Sequence, residues 1–446
     1  MDRCNWSWVE SRVSAAASQW SACAEKAWDA GPRFCPQEQQ KREDAYDEAL
    51  EKVEREAKYA RRGGKQRAEA QRRVVGVFPR FATVALGLED DAVDMLMNGF
   101  IPIGTQFAQW ARRFDPALPM MDVVQACRNA WTMCGIQPLV GDEMRLTPAI
   151  IGYSLLYPYS DNFLDGGITT QRKLEFSARF RDRLCGLAIT ARGKHEEAVW
   201  AMVRLIELQY PRRQFPRVYE CLLAIHQAQE DSIAQSKRSA GLTPPDVLRL
   251  SCAKGGTSVL ADACLSHGFL TDAETSFAFN WGVLLQLGDD LQDVQEDLEH
   301  ASATLFTRAA RSGMPLDGLV RQLLAFSSQV ADQLDSLPHG EPALKRLLRT
   351  SWRSLILMAV SRSDQYFTCD FVAELETLSP FRFGFLRARN KRLAGRRGLY
   401  RVLFESFLES ADVDLRGLPQ PETWIRAVEE PHEDRYVAAQ CGHFSG

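Results

Sequence analysis

The stretch Trp281–His300, WGVLLQLGDDLQDVQEDLEH, decides the fold and carries the clearest chemical signal in the chain. Its first half is apolar enough for a core helix, and Asp289, Asp293 and Asp297 then follow at i, i+4 and i+8. This spacing places three carboxylates on one helical stripe, where like charges repel and are costly to bury without a partner. A solvated acidic helix end is the alternative interpretation. The abrupt change from apolar to acidic residues, with Gln286 one turn before the first acid, favours a bound cation.

A second acidic cluster lies upstream, in residues 146–167, LTPAIIGYSLLYPYSDNFLDGG. Tyr153, Tyr157, Asp161 and Asp165 succeed one another at i, i+4, so they share a stripe if the helix is continuous. Pro158 removes a backbone hydrogen bond and predicts a kink just before the aspartates. Alone, this cluster fits a metal site and an exposed pair near a helix end equally well.

The ligand types in both clusters indicate which metal they suit. Every candidate ligand in the two clusters is a carboxylate. Oxygen ligands favour a hard ion, magnesium or manganese as a stand-in, over zinc.

The pattern from about Val75 to about Thr377 predicts an all-α bundle, because apolar residues recur at three- and four-residue spacing and alternating β-branched runs are hard to find. Helix starts are predicted at Thr147–Pro148 and Thr243–Pro244. We therefore expect a helical, partly charged accessory segment over residues 1–74, a catalytic domain over 75–377 and a basic helical tail over 378–446.

Composition limits the classes of partner. A formal charge of -4 provides no overall attraction to nucleic acid or to an anionic membrane. The 11 cysteines form no CxxC pair, which is typical of reduced thiols in a cytoplasmic protein, and no stretch approaches the length of a membrane span. We expect a cytoplasmic enzyme with no nucleic-acid partner and no integral membrane segment, and a homodimer is left open.

The stretch Arg382–Arg401 is basic throughout, with eight cations and no acid. A solvated helix face is the favoured interpretation, since charge runs usually are that. A lid arginine over an anionic substrate, or contact with a polyanion, is the alternative.

At these clusters the chain resembles the class I isoprenoid synthases, the superfamily of prenyl diphosphate synthases, squalene and phytoene synthases, and terpene cyclases. Asp161-Asn-Phe-Leu-Asp165 resembles the first DxxxD motif, and Arg172-Lys173 is similar to the basic residues that follow it in chain-elongating members. The segment from Gly282 to Asp293 resembles the G-x-x-x-Q-x-x-D-D-x-x-D motif of prenyl diphosphate synthases. Lys254-Gly255-Gly256-Thr257 is similar to the Lys-Thr pair that holds diphosphate on a kinked helix.

The resemblance implies an all-α bundle around an apolar cavity, with the two acidic helix ends facing each other across about three magnesium ions. The metal-binding and catalytic residues would be Asp161, Asp165, Asp289, Asp293 and Asp297. The diphosphate-binding residues would be Arg172, Lys173, Lys254, Lys237, Arg238 and Gln286, with Lys254 the favoured one. The cavity-lining aromatic residues would be Tyr153, Tyr157 and Phe163, although aromatic residues at helical spacing more often serve core packing.

The expected activity is that of a terpene synthase acting on a prenyl diphosphate. The motifs leave open a prenyltransferase, either chain-elongating or head-to-head, because the second motif and Arg172-Lys173 favour it. A non-catalytic helical scaffold is a further alternative, and so is a nucleic-acid binder that uses the basic stretch.

Overall fold

The computed structural model describes residues 7–24, 26–61, 63–165, 169–236, 243–409 and 414–421. Over these residues the secondary structure is helical and contains no strand. This confirms the all-α prediction. No helix within the same ranges is long and apolar enough to cross a membrane.

The α-helices, in chain order, have these bounds: α1 Ser7–Ala22, α2 Pro36–Ala60, α3 Lys65–Arg80, α4 Asp90–Met95, α5 Ile101–Phe114, α6 Met120–Ile136, α7 Pro148–Asp165, α8 Thr170–Leu184, α9 Lys194–Gln209, α10 Pro216–Ser236, α11 Pro244–His267, α12 Asp272–Gln292, α13 Val294–Glu299, α14 Leu305–Arg311, α15 Asp317–Ser336, α16 Pro342–Arg362, α17 Cys369–Glu376, α18 Phe383–Gly395 and α19 Arg397–Glu409. Short π-helical segments cover Phe81–Leu86 and Leu96–Phe100, and 3-10 turns cover Gln137–Val140 and Asp364–Tyr366.

Capping explains where the two central helices begin. Thr243 caps α11, because its backbone N–H donates to Asp246 at 2.9 Å and its hydroxyl accepts from the Asp246 N–H. Thr271 and Glu274 form the same reciprocal box at the start of α12, with the Thr271 N–H donating to Glu274 at 2.7 Å. These boxes satisfy backbone donors that have no partner inside the helix. The predicted starts at Thr243–Pro244 and Thr147–Pro148 agree with the observed starts of α11 and α7.

Helices α11 and α12 pack together through glycines. A Cβ at Gly282 would lie 2.0 Å from the carbonyl oxygen of Gly255, and one at Gly256 would lie 2.4 Å from the ring of Phe279. No other residue fits this approach. Helix α11 is continuous from Pro244 to His267 through Gly255 and Gly256, which allow the close contact with α12.

Helix α7 includes Pro158, at which a kink was predicted. Pro158 lies inside the helix, which extends to Asp165. The backbones of Asp161 and Asp165 therefore belong to the same helix as Tyr153 and Tyr157, as the spacing predicted. The side chains of Asp161 and Asp165 lie outside the described part of the structure.

The N-terminal residues contribute to two places. Helix α1 packs on the main core, where Trp20 meets Phe326 edge-on at 5.9 Å. Helix α2 instead pairs with the C-terminal helices.

That pairing uses the basic stretch. The main contacts join Arg382 to Glu43, Arg389 to Asp47, and both Arg392 and Arg396 to Glu54. Arg392 grips Glu54 with two hydrogen bonds of 2.9 and 2.7 Å, and Tyr400 adds a third at 3.0 Å. The solvated face that was expected is thus largely a docked face, because α2 supplies acids at matching intervals.

We expect Glu54→Gln to lower the free energy of unfolding at pH 7 by about 1–3 kcal/mol, a range that allows for the partly exposed arginines. The hydrogen bond from Arg392 is the main reason that the pKa of Glu54 falls from 4.5 to about 2. A lowered pKa stabilises the fold at pH values above 4.5, and this contribution is lost as the pH falls towards 2. Urea denaturation at pH 7 and at acid pH should show the difference shrinking. Glu51→Gln, on an exposed position of the same helix, is the control and should change little.

We expect Gly282→Ala to lower the free energy of unfolding by about 1–3 kcal/mol or more, because the added methyl group overlaps the Gly255 carbonyl. Gly318→Ala, on α15, meets no atom within 4 Å and should be neutral or slightly stabilising. Thermal denaturation followed by circular dichroism compares the two. Equal melting temperatures would contradict the close contact.

Candidate active site

A cavity of about 590 Å³ lies between α6, α7, α8, α10, α11 and α12. We call it the polar-walled cavity. Five predicted site residues line it, and they come from three separate parts of the chain: Tyr153, Tyr157, Lys254, Gln286 and Asp289. Sequence reasoning missed the contribution of α6 and α10.

Helix α12 supplies the acidic part of the wall. Asp290, beside Asp289, is not available to a metal, because both of its carboxylate oxygens already accept hydrogen bonds. Gln286 donates to Oδ1 at 2.8 Å, and the Ser251 hydroxyl donates to Oδ2 at 2.8 Å. Burial raises the pKa of Asp290 to about 6. Gln286 therefore helps to fix the side chain of Asp290, and its contact with substrate stays a prediction.

Asp289 differs from its neighbour. Its carboxylate is open to the cavity and has no hydrogen bond or ion pair within the described part of the chain. Loss of hydration to the surrounding protein raises the pKa of Asp289. The negative charge of Asp293 raises this pKa further, while the positive charge of Lys254 lowers it. The pKa of Asp297 is raised for the same reasons, burial first. Helix α12 ends at Gln292, but the Asp293 and Asp297 N–H groups still bond four residues back, at 2.9 and 2.8 Å, so the acidic stripe persists.

Helices α11 and α6 supply the positive charge. The positive charge of Lys254 partly offsets the raised pKa values of Asp289, Asp290 and Asp297. The positive charge of Arg128 on α6 does the same for Asp289. Arg128 was not predicted. A signal for it existed, because Gln125, Arg128, Asn129 and Thr132 form one polar face on an otherwise apolar helix, and all four line the cavity.

The α8 and α10 part of the wall is largely apolar. Its carbon-rich members are Phe180, Leu184, Leu222 and Ile225, with Leu156 beside them on α7. A ligand in this cavity therefore meets charge on one set of helices and hydrocarbon on another.

His226 on α10 also faces this cavity. Its Nε2 lies 3.2 Å from the Ser177 carbonyl oxygen and 3.6 Å from a Glu230 carboxylate oxygen, and burial lowers its pKa. With the Nε2 proton donated to that carbonyl, Nδ1 is the ring atom that can accept a proton.

The remaining predicted residues lie elsewhere. Phe163 is not part of the cavity wall, because it stacks on His195 at 4.0 Å and packs on Phe176 at 4.9 Å, between α8 and α9. Arg172 and Lys173 are in the first turn of α8, capped by Thr169, away from the cavity-lining end of that helix. Lys237 and Arg238 lie outside the described residues.

The carboxylates can be compared with the needs of a metal. Within the ranges given above, no three His, Cys, Asp or Glu side chains are grouped to hold a metal ion. That statement does not include the side chains of Asp161 and Asp165. The donor chemistry fits a hard cation, since Asp289 is a carboxylate with no hydrogen bond or ion pair to any described residue, and the negative charges of Asp293 and Asp297 act on it.

No family model matches the chain, and no curated protein or solved structure is detectably similar to it. Any function must therefore be argued from the residues themselves.

Proposed function

We propose that the chain is a class I terpene synthase, which ionises a prenyl diphosphate with the help of magnesium and then cyclises or rearranges the carbocation. The observation that carries this proposal is the polar-walled cavity. Five residues predicted from separate motifs line it, namely Tyr153, Tyr157, Lys254, Gln286 and Asp289. Under this proposal the bundle is a class I terpenoid-synthase-like fold.

The volume and wall chemistry suit the substrate class. A cavity of about 590 Å³ falls in the range of about 300–1,000 Å³ typical of small-molecule sites. The proposed substrate has a diphosphate head and a hydrocarbon tail. Lys254 and Arg128 offer charge to the head, and the α8 and α10 wall offers apolar contact to the tail.

The residues that would hold magnesium are Asp289, Asp293 and Asp297 together with Asp161 and Asp165. Bound magnesium, as a Lewis acid, would neutralise the diphosphate and make it a leaving group. Gln286 and Ser251 fix Asp290, so that α12 keeps Asp289 directed towards the cavity.

Departure of diphosphate breaks its bond to the allylic carbon and leaves a carbocation. Lys254 and Arg128 would hold the anion by charge. The ring faces of Tyr153, Tyr157 and Phe180 would stabilise the cation, and an apolar wall would delay attack by water. His226, through Nδ1, is the group on the wall that could take the final proton.

A prenyltransferase is the second candidate. In the sequence the pair Arg172-Lys173 favours it, because a second diphosphate needs further cations, but the pair begins α8, away from the end of that helix that lines the cavity. A scaffold without catalysis is the third.

We expect turnover of at least one prenyl diphosphate in the range from ten to twenty-five carbons, with release of diphosphate and a hydrocarbon or alcohol product. Incubation with and without isopentenyl diphosphate, followed by product analysis, separates the candidates. Product that requires isopentenyl diphosphate would identify a prenyltransferase. No diphosphate release with any substrate would leave the scaffold.

Removal of divalent metal with EDTA should abolish turnover, and magnesium should restore it.

We expect Asp289→Asn to slow diphosphate release about 100-fold or more, because a bound cation at this position contributes several kcal/mol to the transition state. The substitution preserves shape, so the fold should persist. Asp272→Asn, at the exposed start of the same helix, is the matched control and should retain activity. Equal rates of diphosphate release for the two variants would contradict a role for Asp289 in catalysis.

A further inference from the structure

A second cavity, of about 550 Å³, lies on the other side of α6. We call it the apolar cavity. Its walls come from α2, α3, α5, α6 and α19 and from the π-helical segment Phe81–Leu86. It is distinct from the polar-walled cavity, because Val123, Val124, Cys127 and Trp131 face it, while Gln125, Arg128, Asn129 and Thr132 face the other one.

No charged side chain lines the apolar cavity among the described residues. A diphosphate, a carboxylate or a metal ion inside this cavity would lose its hydration without compensation, so the interior suits an uncharged group. The walls instead consist of aliphatic and aromatic side chains from five helices.

Three polar side chains on this wall, those of Trp131, Thr105 and Tyr400, already form hydrogen bonds within the protein. Trp131 Nε1 donates to the Phe100 carbonyl oxygen at 2.7 Å, Thr105 donates to that of Ile101 at 3.0 Å, and Tyr400 donates to Glu54 at 3.0 Å. Tyr46 presents its ring, which packs edge-on against Phe81 at 5.4 Å. A ligand therefore gains little by hydrogen bonding here, and water gains as little.

The apolar cavity is large enough to hold a hydrocarbon ligand and is open to solvent. A cavity of about 150 Å³ lined by apolar side chains is enough to bind benzene, and this one is more than three times larger. Trp131 and Phe404, both on its wall, remain 36% and 48% exposed, so the cavity has an opening lined by large apolar rings.

We propose that the apolar cavity is a binding site for a neutral hydrocarbon chain, prenyl or alkyl, held without a charged headgroup. The proposal is independent of turnover in the polar-walled cavity. It gives a binding role to the accessory segments, because α2, α3 and α19 form much of the wall.

The test uses the full chain and two labelled alcohols, farnesol for a prenyl chain and dodecanol for an alkyl chain, in equilibrium dialysis. Val124→Trp fills the apolar cavity, and Thr132→Trp fills the polar-walled cavity from two turns further along the same helix. We expect Thr132→Trp to retain about one equivalent of saturable binding. The double variant Val124→Trp/Thr132→Trp should bind at least about tenfold more weakly, because the indole occupies the site.

A second filling variant, Ala108→Trp on α5, approaches from another wall and should weaken binding in the same background. Circular dichroism confirms that each variant is folded. Binding of farnesol but not dodecanol assigns the site to prenyl chains, and the reverse assigns it to alkyl chains. The proposal is overturned if Thr132→Trp binds neither alcohol, or if filling from either wall leaves binding unchanged. A chain that is dimeric by light scattering, and binds neither alcohol until it dissociates, would show that a second copy covers the cavity and would also overturn it.

Discussion

The approach of α11 to α12 is the constraint on which the rest of the structure depends. Two helices come close enough for the Gly255 carbonyl to touch the backbone of Gly282, and no side chain larger than hydrogen fits between them. The same contact fixes the register of Lys254, one residue before Gly255, against the acidic stripe that begins seven residues after Gly282. Packing and electrostatics are therefore set by one interface.

That register explains the different behaviour of adjacent carboxylates. Asp290 faces α11, where the Ser251 hydroxyl donates a hydrogen bond to its carboxylate. Asp289, one residue earlier, lies about 100° around the helix and faces the cavity. A pair of neighbouring acids thus divides into one that holds the helices together and one that remains available to a ligand.

Sequence periodicity predicted the all-α class of the fold, because the buried face of a helix places apolar residues at three- and four-residue spacing. Local motifs, with the family resemblance that they carry, also singled out Tyr153, Tyr157, Lys254, Gln286 and Asp289, which line one cavity in the structure. Arg128 was missed because its relevance depends on α6 and α12 lining the same cavity, although the two helices are more than 130 residues apart in the sequence. The same limit applies to Arg392, whose partner, Glu54, is 338 residues away.

The ion pairs between α2 and the C-terminal helices have a consequence for the order of assembly. Asp47 and Arg389 are separated by 342 residues, so α2 is synthesised long before its partner exists. Contacts of such separation form late, and an amphipathic helix that waits for them is exposed meanwhile to wrong pairings. We expect the net negative charge of α2 to limit association between incomplete chains during this interval.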